Sequence, residues 1–513
     1  MKTTNNINII SNDVDICEWL PRFDISAESD YSLADYFTKT TYFNEILKEK
    51  TWLVLGRKGS GKTAIVQYLK SRTNLDDTNG YKVIPLDFNS YPWNSHLKYV
   101  DKAYANKSAY EESWRYLFAV TLMKQLIHDL GDETVNDDRE LIEANKFIEK
   151  MCGDNAPITN IMKQDSKRLS SIAFQAFSVG GSIGLTSEKN SGTEYDLSNV
   201  SVITKISNHF FSLIEQHIGK RKYLITLDRL DEEWTEEEKE KYKQILAGLI
   251  AESYSFNNKF NSKKNSIKIC LFLRTEIYND LSFNDKNKIA EDRAIEIKWS
   301  GNALDEMFFN RIKFFLNKWN EDHPDHLVVI QEKSFANDNS QSSRIFDQIS
   351  VRHKISIFRQ ILRSSFYRPR DIITYMNKVR DAHRNDVQKS SLYTSKDLRN
   401  ANPEYSNSMM NELKDEFGPL KGRDYLESIM TTLTTISKQK FTLGAFLEVY
   451  SSNEADAKDD LRFLFDISAL GQKVANNYLY RFDDPHLEIN YDKYFYVNSA
   501  LKASLHLVEG LKE

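Results

Sequence analysis

The chain has 513 residues, 40% hydrophobic and 28% charged, which is a soluble globular balance; at ~100–200 residues per domain it should hold about three or four units. A formal net charge of −5 excludes a global field for nucleic acid, and three scattered cysteines (Cys17, Cys152, Cys270) without a C-x-x-C exclude a zinc ribbon or a disulfide framework. No run approaches the ~18 apolar residues of a membrane span, and the first residues lack a signal-peptide core, so a cytoplasmic protein with no membrane partner is expected.

Residues 1–45 predict an N-terminal adaptor segment. Its aromatics Tyr36, Phe37, Tyr42 and Phe43 suit helix packing. Residues 46–300 predict a nucleotide-handling domain. It starts with the apolar strand-like run Thr51–Leu55. Gly56-Arg57-Lys58-Gly59-Ser60-Gly61-Lys62-Thr63 follows, a G-x-x-x-x-G-K-T loop, and then the helix-like run Ala64–Leu69. Strand, glycine loop and helix together turn the pattern into a phosphate cradle. In that cradle Lys62 reaches the β- and γ-phosphates and the Thr63 hydroxyl binds Mg2+.

A second strand is expected at Tyr81–Phe88. Aromatic-rich helices fill about 96–205 and read as an insertion, because a single βαβ step needs only ~30 residues. A turn is expected near Val179–Gly184.

The buried-strand run Lys222–Leu227 ends in Asp228, where a metal-holding acid belongs. Arg229 occupies the next position, so the water-positioning base is sought further on. Glu232 is favoured, with Asp231 tuning the metal shell; Glu236, Glu237 and Glu238 read as helix-start acids. The next strand, Ile267–Leu273, ends in Arg274 and Thr275, placed to stabilise charge on a transferred phosphoryl group.

Residues 301–400 predict a helical lid, with Gln331–Ser343 as an exposed loop. In Phe366–Ile373, Pro369 starts a helix. Arg370 then sits where a cation gains nothing from the helix dipole, which points to an anion partner: a γ-phosphate or a protein carboxylate. A short linker is expected at Asn400–Pro403, and 401–513 reads as a mixed C-terminal domain.

Taken together, these motifs resemble the STAND and AAA+ branch of P-loop ATPases. Gly56–Thr63 looks like its Walker A, and Leu224–Glu232 resembles the Walker B of NACHT-type members. Leu273-Arg274-Thr275 is similar to sensor 1, and Arg368–Asp371 to the sensor 2 region of origin-recognition initiators. The resemblance implies an α/β P-loop NTPase fold, with a parallel sheet and helices on both faces, then a helical lid and a C-terminal winged-helix-like α+β domain. It implies an ATP- and Mg2+-dependent switch, acting as a homo-oligomer or through a separate effector protein, in bacterial stress or phage defence. An ATP-gated nucleic-acid-binding protein of replication-initiator type is the competing reading. Its contact surface would be 352–384, with nine Lys/Arg against two Asp, or the C-terminal domain. Asp322-His323-Pro324-Asp325-His326 reads as a polar loop rather than a metal site.

Overall fold

The computed structural model describes residues 14–48, 50–73, 78–89, 91–96, 107–152, 158–163, 166–177, 199–230, 239–260, 267–330, 340–347, 356–387, 390–450, 452–475, 477–484 and 486–508. The expected turn at Val179–Gly184 lies outside these residues, as do Asp231, Glu232 and Glu236–Glu238. Two compact units divide the chain: Met1–Thr40, Lys58–Gln67 and Ile297–Glu513 form one, Thr41–Arg57 and Tyr68–Glu296 the other.

The second of these holds a five-stranded sheet: β1 (Leu53–Leu55), β2 (Lys82–Asp87), β3 (Tyr223–Asp228), β4 (Ile267–Leu273) and β5 (Ala294–Glu296). The strand order is β2-β3-β4-β1-β5, and every pairing is parallel. A parallel sheet is buried on both faces, so its inner strands need unbroken apolar runs. β1, β3 and β4 are buried at every position. β5 was not expected from the sequence; its three residues are each only half-buried and carry no apolar run.

Between β2 and β3 the chain builds helices at Lys107–Leu130, Arg139–Cys152, Ser166–Ala176 and Asn199–His217. The first packs against the Asn199–His217 and Lys239–Phe260 helices. Its buried face carries Trp114, Leu117, Phe118 and Leu122, and the Trp114 indole donates to the Ile245 carbonyl at 2.9 Å. At Gly248 the backbones come so close that a β-carbon would lie 2.6 Å from Tyr110 Cβ.

The other unit is helical, with a small sheet near its C-terminal end. Its core gathers Phe308, Phe358, Ile372, Tyr405, Leu464 and Phe495. Strands β6 (Lys440–Phe441), β7 (Leu470–Val474), β8 (Asn477–Leu479) and β9 (Phe495–Val497) pair antiparallel in the order β6-β9-β7-β8. Helices Arg423–Ile436, Leu443–Leu447 and Glu454–Asp466 precede or separate them.

Two local expectations are corrected here. Asn400–Pro403 is no linker; it lies inside the helix Ser395–Lys421. Proline costs the helix a hydrogen bond, but Leu398, Ala401, Tyr405 and Met409 are buried along that stretch, and Tyr405 stacks on Tyr375 at 4.0 Å. The end of the expected loop is also not exposed. Ser342 and Ser343 are buried in a short 3-10 turn, and Asp305 accepts from Ser342 N at 2.9 Å.

Candidate functional site

The glycine loop leaves the carboxyl end of β1, which lies between β4 and β5. The connection leaving β1 runs towards β2, while the one leaving β4 passes over β1 to β5, so β1 stands at a topological switch point. Open α/β sheets bind ligands beyond the carboxyl ends of their strands at such points.

Within the sheet-bearing unit, the carboxyl edge collects several of the expected residues. Gly56 N donates to Leu273 O at 3.3 Å, and Arg57 pairs with Glu276 at 3.5 Å. Asp228 is the last residue of β3, level with Asp87 of β2, and only 5% exposed. Arg229 has φ 61°, a left-handed conformation rare for a residue with a β-carbon. Its guanidinium faces Asp87 at 3.5 Å, bridging two strand ends. Arg274 follows β4 directly and stands at the N-cap of the Thr275–Asp280 helix. Thr275 Oγ1 donates to Glu296 at 3.2 Å.

Lys58–Gln67 belongs to the helical unit. Gly59 and Gly61 have φ 78° and 97°, and the helix Lys62–Ser71 begins directly after them. The first N–H groups of a helix have no partner within it, so the loop ends in donors aligned with a favourable dipole. Lys62 and Thr63 are the first two residues of that helix. Ser60 Oγ is buried and makes no hydrogen bond.

Four side chains of the helical unit hold this loop. Trp299 Nε1 donates to Ser60 O at 2.8 Å. Arg368 Nη1 donates to Lys58 O at 3.1 Å. Arg370 lies over Gly59, and Glu412 faces both Arg370 and Lys58 at 3.4 Å. In this structure the Arg370 guanidinium faces the carboxylate of Glu412.

Arg368 is itself held by Asp371 and Glu416, each at 2.9 Å. Burial works to lower its pKa, but the two carboxylates outweigh that and hold it above its ordinary value. It is a fixed cation. Trp299 and Glu412 were missed by sequence reasoning, since each meets the loop from hundreds of residues away with no local pattern.

Much of the basic stretch within 352–384 is consumed internally. Arg368 and Arg370 are paired as above, Lys378 pairs with Glu404, and Arg380 donates to the carbonyls of Leu20 and Cys17. His323 stacks on Trp319 at 3.8 Å. Among the described residues no helix is long and apolar enough to cross a membrane.

The FunZ-associated C-terminal helical domain family matches residues 325–414. An Escherichia coli K12 protein described as "Putative transposon gamma-delta 80.3 kDa protein" is 23% identical over 377 residues, 70% of this chain and 46% of its own length. The chain thus spans about half the length of that curated relative. The crystal structure of Cdc6p from Pyrobaculum aerophilum aligns over 96% of this chain and 98% of its own, at 10% identity and a TM-score of 0.28. A superposition that loose carries no argument about fold or activity.

Proposed function

We propose that this chain is a Mg2+-dependent ATP-binding and ATP-hydrolysing switch of STAND/AAA+-like type. The observation that carries this reading is the loop itself: Gly59 and Gly61 in left-handed conformation, a helix opening at Lys62, all following β1, an inner strand of a parallel sheet, at its switch point. The residues present fit a nucleotide: backbone donors at the helix start, a lysine, a hydroxyl, and the buried unpartnered Ser60 Oγ. Lys62 would hold the β- and γ-phosphates. Thr63 and Asp228 would hold Mg2+, which neutralises charge developing on the phosphates. Glu232 would orient the attacking water, with Asp231 beside it. Arg274 and Arg370 would counter charge on the γ-phosphate.

The biological setting we propose is bacterial regulation or defence, with a separate effector. The similarity to a protein described as transposon-borne is in keeping with a mobile-element context.

The test is nucleotide binding followed by single-turnover hydrolysis. Lys62→Ala should lose ATP affinity by at least ~100-fold, and Glu232→Gln should keep affinity while losing hydrolysis. Full turnover in Lys62→Ala would sink the ATPase reading; full turnover in Glu232→Gln would sink only the base assignment.

The nucleic-acid reading has one observation in its favour. Arg423–Val497 runs helix, strand, helix, helix and then three strands, with β9 seated between β6 and β7, an arrangement that suits a winged helix. The exposed residues of its Glu454–Asp466 helix are unsuited to phosphate, since they include Glu454, Asp456, Asp459 and Asp466. Contact would fall to the sheet, where Lys440, Tyr496, Lys473 and Tyr478 share a face by register. A gel shift unchanged by Lys440→Glu with Lys473→Glu would reject it.

A further inference from the structure

One cluster in the helical unit has no part in nucleotide chemistry. Asp15, Cys17 and His383 each bring one ligand atom within 4.8 Å of the other two. His383 is fully buried. Its Nδ1 lies 2.9 Å from Asp397 Oδ2, and its Nε2 faces Asp15 Oδ1 at 3.4 Å without making a hydrogen bond. We propose that Asp15, Cys17 and His383 form a binding site for a divalent transition metal of the zinc class.

The chemistry of the donor set selects the ion. A carboxylate oxygen, a thiolate sulfur and an imidazole nitrogen form a borderline-soft set that suits Zn2+ and is poor for Mg2+ or Ca2+. Ligand atoms held at ~2.0–2.3 Å around a tetrahedral ion lie roughly 3.3–3.8 Å from one another, a small contraction from the present spread. Two anionic ligands offset the double positive charge of the ion.

The surroundings are built to orient the ligands. A metal-binding imidazole is typically fixed by a carboxylate on its other nitrogen. Asp397 supplies that carboxylate and is itself locked in the Thr394 capping box of the Ser395–Lys421 helix. Asp15 caps the short Ile16–Trp19 helix by accepting from Cys17 N at 2.9 Å, which keeps two ligands on one turn. Arg380 grips that turn through the Cys17 carbonyl at 3.0 Å. Three protein ligands leave a fourth position for water. The ion would staple the N-terminal turn to the Pro369–Arg384 helix, whose other end carries Arg370. No spacing rule could have found the site, because His383 lies hundreds of residues after Asp15 and Cys17 in the sequence.

The test uses the full-length protein without a histidine tag, loaded with Zn2+, dialysed free of excess metal and assayed for zinc by mass spectrometry. About one ion per chain is expected, falling below roughly a tenth in Cys17→Ser and in His383→Gln. Loading with Co2+ instead should give a thiolate-to-cobalt charge-transfer band that survives Cys152→Ser with Cys270→Ser and vanishes in Cys17→Ser. Cys17 is only partly buried, so Cys17→Ser keeps the test decisive even where His383→Gln fails to fold. Folded wild-type protein that retains no zinc and shows no band overturns the proposal. Zinc retained unchanged in Cys17→Ser overturns it equally.

Discussion

Arg370 packs directly over Gly59, so closely that a β-carbon on the glycine would lie 3.0 Å from Arg370 Cβ and 3.3 Å from its Cδ. The glycine also sits at φ 78°. Gly59→Ala should therefore meet two separate penalties, one steric and one conformational, together about 1–3 kcal/mol. Arg370→Gly removes the steric part, because the nearest contact is to the arginine's own β-carbon. Thermal melts of the two single variants and the double variant check this: the double should be less destabilised than the sum of the singles. Strict additivity would show that the contact has no energetic weight.

Trp299 ties the loop from the other side through the Ser60 carbonyl. Trp299→Phe keeps an aromatic ring and deletes the donor. The expected loss is about 1 kcal/mol of stability, with nucleotide affinity weakened several-fold. Isothermal titration with ATP measures the second effect. Unchanged affinity would mean the indole merely covers the loop.

Arg368 presents a different balance. Removing one partner of a buried ion pair strands the others without solvent, at a cost of about 3–5 kcal/mol. Arg368→Met should pay that through Asp371 and Glu416, both buried and both facing the guanidinium. Urea denaturation reads the loss, and Glu416→Gln added to Arg368→Met should recover part of it. A loss under ~1 kcal/mol would show that solvent reaches the pair.

Glu252 predicts a pH effect in the sheet-bearing unit. Burial in the Lys239–Phe260 helix pushes its carboxyl up from 4.5 to about 8, with Arg115 pulling the other way. The folded state then holds a proton that the unfolded state has released. Stability is full below pH 4.5 and falls as pH rises towards 8, by on the order of a few kcal/mol. Glu252→Gln should flatten that slope in a series of denaturation curves. An equal slope in wild type and variant would place the carboxyl in contact with water.

The legible parts of this chain were those whose physics is local. A glycine loop between an apolar strand and a helix is specified by adjacent residues, and β3 and β4 announce themselves because strands buried on both faces cannot alternate with polar residues. β5 stayed hidden: Ala294, Ile295 and Glu296 become a strand only by lying beside β1. Asn400–Pro403 misled because its local turn chemistry was overruled by Tyr405 and Ala401 packing into a core. The grip of Trp299, Arg368 and Glu412 on the loop had no sequence signal at all. Arg370 was a partial exception, since its unfavourable place at a helix start was visible in the sequence; in this structure its guanidinium faces Glu412.

The order of the sheet also governs how this protein can be made. β1 is the first strand to leave the ribosome, yet its two neighbours, β4 and β5, are among the last of the sheet to be synthesised, with β4 roughly 200 residues later. At ~5–20 residues per second, the strand that carries the phosphate loop waits on the order of 10–40 s with both edges unpaired. The helices between β2 and β3 are finished during that wait, so local helical contacts form while the sheet is still incomplete. A bare, fully apolar strand exposed for so long is a natural client for a holding chaperone, and aggregation during synthesis should concentrate on Leu53–Leu55 and the residues beside it.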